Sequence, residues 1–591
     1  MCGIVGYIGK KKKTLKELIK GLYNLEYRGY DSAGISYVND GIVITEKAVG
    51  KIHELENKID ECTVTNTLIG HTRWATHGRP TEENAHPHKC GKITIVHNGI
   101  IENYLEIKNE LIKIGYQFVS DTDTEIAAGL LDYFYSKTNN MFETIKLFRK
   151  KVIGSYAICL ICDEELDALY VIKKNSPLII GVMETGNYVA SDILAVLTYT
   201  NRYITLDDNT YGKITSKDIL VYNQDDILIN AIIKKFDGKV DMTSKNGYDH
   251  YMLKEIYEQP NIIRKNIGNY QIPDISKYKK ILIVGCGSAM HAGLIGKNLF
   301  ESYGNKETYV EIASEFRYKK LFLDKDTLVI AISQSGETAD TLEAVKIAKK
   351  YGSHTLGIVN VYDSSLAREV DNVVYTDAGS EIAVATTKAY MAQLLVLILL
   401  ANKLARVNVD GNILDNFDTD IKKIPVMMEE LLVNDKYKEI AKRLSKNDQV
   451  FYIGRNIDYA ICMEGSLKLK EIAYIHSEAY AAGELKHGTI SLIDDGVLVI
   501  GVVSDKKIAL KTISNLKEVK ARGAYVIYIT TSELDSEGDF YDDKIILPTV
   551  NPLLQPLINI IPLQLIAYYT AKNLGCDIDQ PKNLAKSVTV E

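Results

Sequence analysis

The 591-residue sequence has a single tryptophan, only eleven prolines and no excess of basic charge, its 70 lysines and arginines standing against 77 aspartates and glutamates. A net charge of −7 gives no footing for a polyanion, so no nucleic-acid partner is expected. Long apolar runs are missing as well. Leu394–Leu400 is too short to span a bilayer, and the stretch from Pro552 to Ala571 is interrupted by Pro556 and Pro562, so no membrane partner is expected. Strand and turn residues begin at once where a signal peptide would stand, which makes the cytoplasm the expected location. Eight cysteines, mostly inside apolar segments, predict reduced thiols and not a disulfide framework. No glycine-rich loop ends in Gly-Lys-Ser/Thr, so no ATP site is expected. Gly285-Cys286-Gly287 lacks the third glycine of a dinucleotide fingerprint, Met290 standing in its place.

Two groupings have metal-like spacing. Cys159 and Cys162 form a lone CxxC inside the apolar run Tyr156–Cys162, which reads as a buried strand. His86, His88 and Cys90 surround Pro87, which argues for an irregular loop. Neither is expected to hold a metal, and no cofactor is expected. The basic run Lys10–Lys13 follows a short strand and is expected in a solvated loop or a helix entry.

What the sequence does have begins with Met1-Cys2-Gly3-Ile4-Val5-Gly6. Once Met1 is removed, Cys2 carries a nucleophilic sulfur and a free α-amine that titrates near ~8, a catalytic pair on one residue. An amphipathic helix follows, with Leu15, Leu18, Ile19 and Leu22 at helical spacing. Strand patterns recur at Ile35–Val38, Ile42–Thr45, Thr67–Ile69, Ile93–His97, Tyr156–Cys162, Leu169–Lys173 and Leu178–Val182. Helices are expected at Thr124–Tyr135 and near Phe142–Lys151. Many strands with few long helices predict two stacked sheets with helices outside.

Three stretches carry polar chemistry: His71-Thr72-Arg73-Trp74-Ala75-Thr76-His77-Gly78, Val96-His97-Asn98-Gly99, and Asp121-Thr122-Asp123-Thr124-Glu125. Arg73 can grip an α-carboxylate bidentately, Asp123 can take an α-ammonium, and Asn98 with the Gly99 N–H can hold a tetrahedral oxyanion while Cys2 attacks. Asp123 or Thr124 can instead simply cap the helix that follows. The conjunction of Met-Cys-Gly-Ile-Val-Gly, Arg-Trp-Ala-Thr-His-Gly, His-Asn-Gly and Asp-Thr-Asp-Thr-Glu resembles the glutaminase domain of class II amidotransferases, whose fold is the αββα N-terminal-nucleophile fold. That resemblance adds Thr76 and His77 to the glutamine-binding set and makes Trp74 the gate of an ammonia channel.

From Lys280 the pattern changes. Ile281–Val284 runs into Gly285-Cys286-Gly287-Ser288 and a helix, and Leu328–Ile332 runs into Ser333-Gln334-Ser335-Gly336-Glu337-Thr338 and another. Strand, polar glycine loop and helix in repetition predict a doubly wound parallel sheet, and the hydroxyls of Ser333–Thr338 at a helix N-terminus suit a phosphate. A second copy starts at Gln449, with strands at Val497–Val503 and Tyr525–Ile529. In place of the serine-rich loop it carries Glu464, Lys468 and Glu471 near one face of a helix, followed by the stretch Glu478–Gly488. Charges on a helix face are ordinarily just solvated; the sugar-phosphate loop of the sister copy favours a functional reading here.

The paired copies resemble tandem sugar isomerase (SIS) domains. With the glutaminase in front and the tail Pro581–Glu591 behind, the whole chain resembles the glutamine–fructose-6-phosphate aminotransferase (isomerizing) family. The resemblance implies a glutamine amidotransferase domain over 1–240, a linker over 241–270, SIS domains over 271–414 and 440–580, and a catalytic tail over 581–591. It implies glutamine and fructose 6-phosphate as substrates, glucosamine 6-phosphate as product at the head of hexosamine synthesis, and a homodimer in which the residue matching His487 comes from the partner. By the same resemblance Ser288, Ser333, Gln334, Ser335 and Thr338 bind phosphate and sugar, with Val384 and Thr386 lining the pocket. Lys586 forms an imine with the open-chain ketose, Glu471 moves a proton between C1 and C2, His487 assists ring opening and Lys468 supports that set. Ala289 and Thr386 stand where serines are common; Thr386 keeps the hydroxyl and Ala289 does not. An amine that attacks a carbonyl must be partly neutral, so Lys586 is expected out of solvent, near a cation or buried, with Leu584, Ala585 and Val588 anchoring the tail. Another class II amidotransferase and a non-catalytic sugar-phosphate sensor are the alternatives; the Ser333–Thr338 loop and the Lys586 tail argue against the first, and retention of both chemical sets argues against the second.

Overall fold

The computed structural model describes residues 2–75, 78–236, 244–408 and 416–589. The chain divides into two compact units, Met1–Lys239 with Ser587–Glu591, and Val240–Lys586.

In the first unit an eight-stranded and a seven-stranded sheet stack. Strand Gly3–Thr14 pairs antiparallel with Val64–Arg73 on one side and with Gly186–Ala190 on the other. Strand Ile93–Ile101 lies in the second sheet between His88–Cys90 and Gly154–Cys162. The two-residue period of a strand sorts the side chains into layers. Ile4, Ile8, Ile69, Val96, Ala157 and Ile161 fill the layer between the sheets. Val5, Tyr7 and Leu68 turn the other way, onto the layer of helix Leu15–Tyr23. Ile93, Ile95, Ile158 and Leu160 face the layer that holds helices Asp123–Thr138 and Met141–Lys151. The architecture is αββα, as the strand patterns imply.

The same parity disposes of the CxxC as a unit. Cys159 packs between the sheets and Cys162 in the helix layer, so the two thiols occupy opposite faces of one strand. The basic run does not form a loop: Lys10–Lys13 continues the strand as far as Thr14, which then caps helix Leu15–Tyr23. Lys13 Nζ reaches the Tyr188 hydroxyl at 2.8 Å and lies over the rings of Tyr7, Tyr188 and Tyr199, an environment that holds an ammonium by cation–π attraction. Helix Tyr104–Lys113 and the strands beyond Met183 went unread in the sequence, being short or carrying little apolar periodicity.

The second unit holds two five-stranded sheets, parallel throughout. The first comprises Lys280–Gly285, Glu307–Ile312, Thr327–Ser333, His354–Val359 and Asn372–Tyr375. The second comprises Gln449–Gly454, His476–Ala481, Leu498–Val503, Tyr525–Thr531 and Asp543–Leu547. In both, the second strand lies outside the first and the others follow in order, which leaves a switch point between the first and third strands, where open α/β sheets bind ligands. One apolar core runs through both sheets and their helices.

Three expectations yield to this packing. Within the 241–270 linker, where Tyr248–Pro260 reads as a helical entry, helix Tyr251–Asn266 is not a connector but part of the core, with Met252, Ile256 and Ile263 fully buried in it. Pro556 and Pro562 do not break their stretch: Gln555–Asn573 is one helix, with Pro556 in the first turn, where its missing N–H has no partner to lose, and Pro562 inside, where burial on every side outweighs the lost bond. Helix Lys388–Asn408 is apolar over a longer span than Leu394–Leu400. By length and composition its Lys388–Val407 segment suffices to cross a membrane, and 72% of its most apolar window is buried within the protein.

Candidate active sites

In the first unit, strand pairing brings the pieces together. Gly3 stands opposite Thr72, which puts Cys2 beside Trp74 just past the end of the neighbouring strand. The Trp74 N–H donates to Cys2 Sγ at 3.3 Å, and the thiol faces Trp74 O at 3.5 Å. Gly3 must be glycine, since a Cβ there would lie 2.6 Å from Leu25 Cβ and from Thr72 Oγ1. Burial raises the Cys2 pKa, with the Trp74 bond and the Arg73 charge acting in opposition.

Asn98 lies on strand Ile93–Ile101 and donates from Nδ2 to Cys2 O at 2.9 Å. Its Oδ1 lies 3.0 Å from His71 Nε2, which also lies 3.1 Å from His97 O. Two acceptors facing one ring nitrogen assign the proton to that nitrogen. Burial lowers the His71 pKa to about 3, so the ring stays neutral and Nε2 stays a donor. Gly99 has φ +130°, and a Cβ there would lie 2.0 Å from Ser155 O, so no other residue fits beside Asn98.

Arg73 is buried at its strand end and donates to Gly78 O at 3.1 Å and Arg79 O at 3.4 Å. Asp123 begins helix Asp123–Thr138 and accepts the Ile101 N–H at 2.8 Å. Neither Asp123 nor Thr124 caps that helix; Thr122 does, through the Glu125 N–H. Thr76 and His77 lie outside the described residues.

Around Asn98 the sequence hid a histidine cluster. His71 and His86 stack with centroids 4.0 Å apart, and His88 meets His86 edge-on at 4.9 Å. Thr124 Oγ1 lies 3.0 Å from His97 Nδ1 and 3.3 Å from His86 Nε2. Burial lowers the His86 and His88 pKa values well below the usual range. His86 and His88 thus belong to a neutral packed cluster that backs the Cys2 site, a role their loop sequence does not display.

In the second unit the first switch-point loop of the first sheet, at Ser288, meets a helix of the second SIS copy, and the other, Ser333–Thr338, is held by bonds within itself. Ser333 Oγ accepts the Gly336 N–H at 3.0 Å and lies 3.1 Å from Thr338 Oγ1; Ser335 Oγ accepts the Glu337 N–H at 3.2 Å. The Gln334 carbonyl accepts the Asn360 N–H at 3.1 Å. Gly336 has φ +66°, with Ser364 Oγ 2.0 Å from where a Cβ would stand, so the tight turn requires glycine.

On helix Ile457–Ala473 Glu464 and Lys468 are buried, not solvated, while Glu471 is partly exposed. Lys468 Nζ lies 2.5 Å from Glu471 Oε2 and 3.4 Å from Glu464 Oε1, with no exposure of the Lys468 or Glu464 side chains. Glu464 accepts Ser288 Oγ–H and His291 Nδ1–H, both at 2.8 Å, and Lys468 donates to Ser288 Oγ at 3.2 Å. Burial raises the Glu471 pKa, with Lys468 opposing. Burial works the same way on Glu464, but Lys468, His291 and Ser288 outweigh it and lower its pKa.

Lys586 is withdrawn from solvent, its side chain 4% exposed. Its partner is an anion and not a cation: Nζ lies 2.5 Å from Glu381 Oε2 and donates to Ala383 O at 2.9 Å. Thr386 Oγ1 donates to the same carboxylate oxygen, while the Val384 N–H donates to Asp579 O at 3.0 Å. Val588, an expected anchor, is 44% exposed. Asp579 holds the tail instead, accepting the Tyr251 and Met252 N–H groups at 2.9 Å each. His487 is exposed on the turn Glu484–His487, and among the described residues no bond joins it to Lys468, Glu471 or Lys586.

A profile described as glutamine amidotransferase domain matches residues 71–198, and one described as SIS domain matches 274–403 and 443–573. Glutamine–fructose-6-phosphate aminotransferase (isomerizing) of Clostridium tetani is 45% identical over 611 aligned residues, covering all of both chains. The protein of that name from Thermococcus kodakarensis is 45% identical over 606, again end to end. The chain belongs to the glutamine–fructose-6-phosphate aminotransferase (isomerizing) family. A solved structure of the C-terminal domain of glucosamine-fructose-6-phosphate aminotransferase from Francisella tularensis covers 57% of this chain and 100% of its own, with 38% identity and a TM-score of 0.55.

The chain has two residues beside its sites, His71 and Glu381, that its motifs did not announce. His71 stands inside the Arg73 motif but reads as a strand residue. Glu381 is a lone acid five residues before Thr386. Only the fold shows what each touches.

Proposed function

We propose that the chain converts fructose 6-phosphate and glutamine to glucosamine 6-phosphate and glutamate. Cys2 Sγ attacks the glutamine amide carbon, its proton passing to the α-amine freed by loss of Met1, and ammonia leaves; water then releases glutamate from the thioester. Asn98 Nδ2 and the Gly99 N–H hold the oxyanion, Arg73 and Asp123 hold the α-carboxylate and α-ammonium, Thr76 and His77 complete the glutamine site, and Trp74 gates the ammonia's exit. In the sugar site Ser288, Ser333, Gln334, Ser335 and Thr338 take the phosphate and hydroxyls, with Val384 and Thr386 along the wall. His487, supplied by the partner of a homodimer, assists ring opening, and Lys586 holds the open-chain ketose as an imine with loss of water; ammonia then adds at C2 and displaces the Lys586 amine, and Glu471, paired with Lys468, carries the proton from C1 to C2. A cytoplasmic location goes with this reading.

The observation that carries it is the buried Lys586–Glu381 pair beside the loop that leads to Val384 and Thr386. A sensor needs the phosphate loop and has no use for an amine kept out of solvent beside a buried carboxylate. The test is to incubate the pure protein with both substrates and identify the product by mass. Glucosamine 6-phosphate formed in step with glutamate supports the proposal; glutamate with unchanged sugar rejects it.

A further inference from the structure

Lys586 has two acceptors, Glu381 Oε2 and Ala383 O, and both sit on one short segment. That segment is pinned by a carboxyl group to which no motif drew attention. Glu255, on helix Tyr251–Asn266, is 1% exposed, and its Oε1 accepts the Ile382 N–H at 2.5 Å and the Ala383 N–H at 3.3 Å. Its Oε2 is buried with no hydrogen-bond partner. One turn earlier, the same helix binds Asp579, just before the tail, through the Tyr251 and Met252 N–H groups. The helix therefore fixes the strand of chain that carries the amine and the strand of chain that carries its acceptors.

We infer that Glu255 is a positioning residue for Lys586, holding the 381–383 segment by its two backbone N–H groups at the distance the amine needs. The inference rests on the reading of Lys586 as the imine-forming residue. Charged groups face Glu255 from three directions: Glu381 on the segment it pins, Lys388 on the following helix, and Lys586 on the tail. On its own helix Lys254 pairs with Glu258, and Glu258 with Lys388. Burial first, and Glu381 second, raise the Glu255 pKa to about 8 against the pull of the two lysines. Near neutral pH the group is thus mostly protonated, and the amine faces one carboxylate. Above pH 8 a second negative charge would form beside the amine and draw it into ion pairing, away from the sugar carbonyl.

The test is reductive trapping of fructose 6-phosphate on the C-terminal peptide with cyanoborohydride, followed by mass from pH 6.5 to 9.5. It compares wild type, Glu255→Gln and Glu255→Ala, with glutamine hydrolysis as the folding control. Glu255→Gln keeps the two bonds and cannot ionise, so it should trap sugar at about the wild-type rate at pH 7 and outpace wild type above pH 8. Glu255→Ala leaves two buried N–H groups without an acceptor, so trapping should fall about tenfold or more with little change in the KM for fructose 6-phosphate. Equal rates and equal pH profiles in all three proteins would overturn the inference. So would a Glu255→Gln profile identical to wild type above pH 8, should Glu255→Ala fail to fold. If wild type itself carries no sugar on Lys586, the imine reading falls, and the inference with it.

Discussion

His71 Nε2 donates to Asn98 Oδ1 across 3.0 Å, and this bond sets which end of the Asn98 amide points at Cys2. An unrestrained amide can turn by half a rotation and present an oxygen to the developing oxyanion, which would repel it. Removing the Asn98 donor with Asn98→Ala should lower glutamine hydrolysis about 10²–10³-fold. His71→Phe keeps the ring's bulk and releases the amide, so it should cost less, about tenfold. Ammonia-dependent synthesis should survive in both variants; wild-type glutamine hydrolysis in His71→Phe would show that the bond does not orient Asn98.

The histidine cluster makes the first unit sensitive to acid. His71, His86 and His88 have folded-state pKa values below their unfolded value of about 6.5, so unfolding takes up protons once the pH drops beneath that value. The stability that these neutral rings contribute is whole above about 6.5 and declines as the pH falls below that value, for His71 down to about 3. The slope is about 1.4 kcal/mol per histidine for each pH unit. Trp74, the only tryptophan, lies in this unit and reports on it by fluorescence. Its thermal transition should move down between pH 6.5 and 4.5, less steeply in His86→Phe. A transition equally steep in both proteins would contradict the assignment.

What the sequence displayed and what it hid divide along a physical line. Residues that act within one contiguous stretch, such as Asn98-Gly99 on its strand or the Ser333–Thr338 loop, could be read directly, because their spacing already encodes the geometry. Contacts between distant segments could not. Glu381 meets Lys586 across 205 positions, Ser288 meets Glu464 across 176, and neither pair leaves a local signature. Burial was invisible for the same reason: Glu464 and Lys468 look like a solvated helix face until the second sheet is laid against the first. Pro562 and Lys10–Lys13 were misread because local propensity yields to tertiary packing. His487 was picked out by motif alone, and this chain's own fold leaves it exposed.

The two chemistries should separate. Cys2→Ala removes the nucleophile, so glutamine-dependent synthesis should vanish while slow conversion of fructose 6-phosphate to glucose 6-phosphate remains and synthesis recovers at high ammonia. Product assays with glutamine or ammonium as nitrogen source give the comparison. Unchanged glutamine-dependent synthesis would mean that the nucleophile lies elsewhere.

The buried Lys468 is held between two carboxylates, and removing it leaves Glu464 buried without its cation, held only by the Ser288 and His291 hydrogen bonds. Lys468→Met should cost about 3–5 kcal/mol of stability, read from denaturant unfolding. Glu471→Gln keeps the shape and removes the proton carrier, so sugar should still become trapped on Lys586 while isomerisation stops. Normal isomerisation by Glu471→Gln would remove Glu471 from the proton path.

The most direct measurement follows the nitrogen itself. The protein is given glutamine labelled with ¹⁵N in the amide, fructose 6-phosphate, and an excess of unlabelled ammonium in solution. Hydrolysis at Cys2 followed by internal transfer predicts glucosamine 6-phosphate that carries ¹⁵N almost throughout, whatever the ammonium concentration. Glucosamine 6-phosphate with the isotopic composition of the bath, or labelled ammonia released without any amino sugar, would contradict the account.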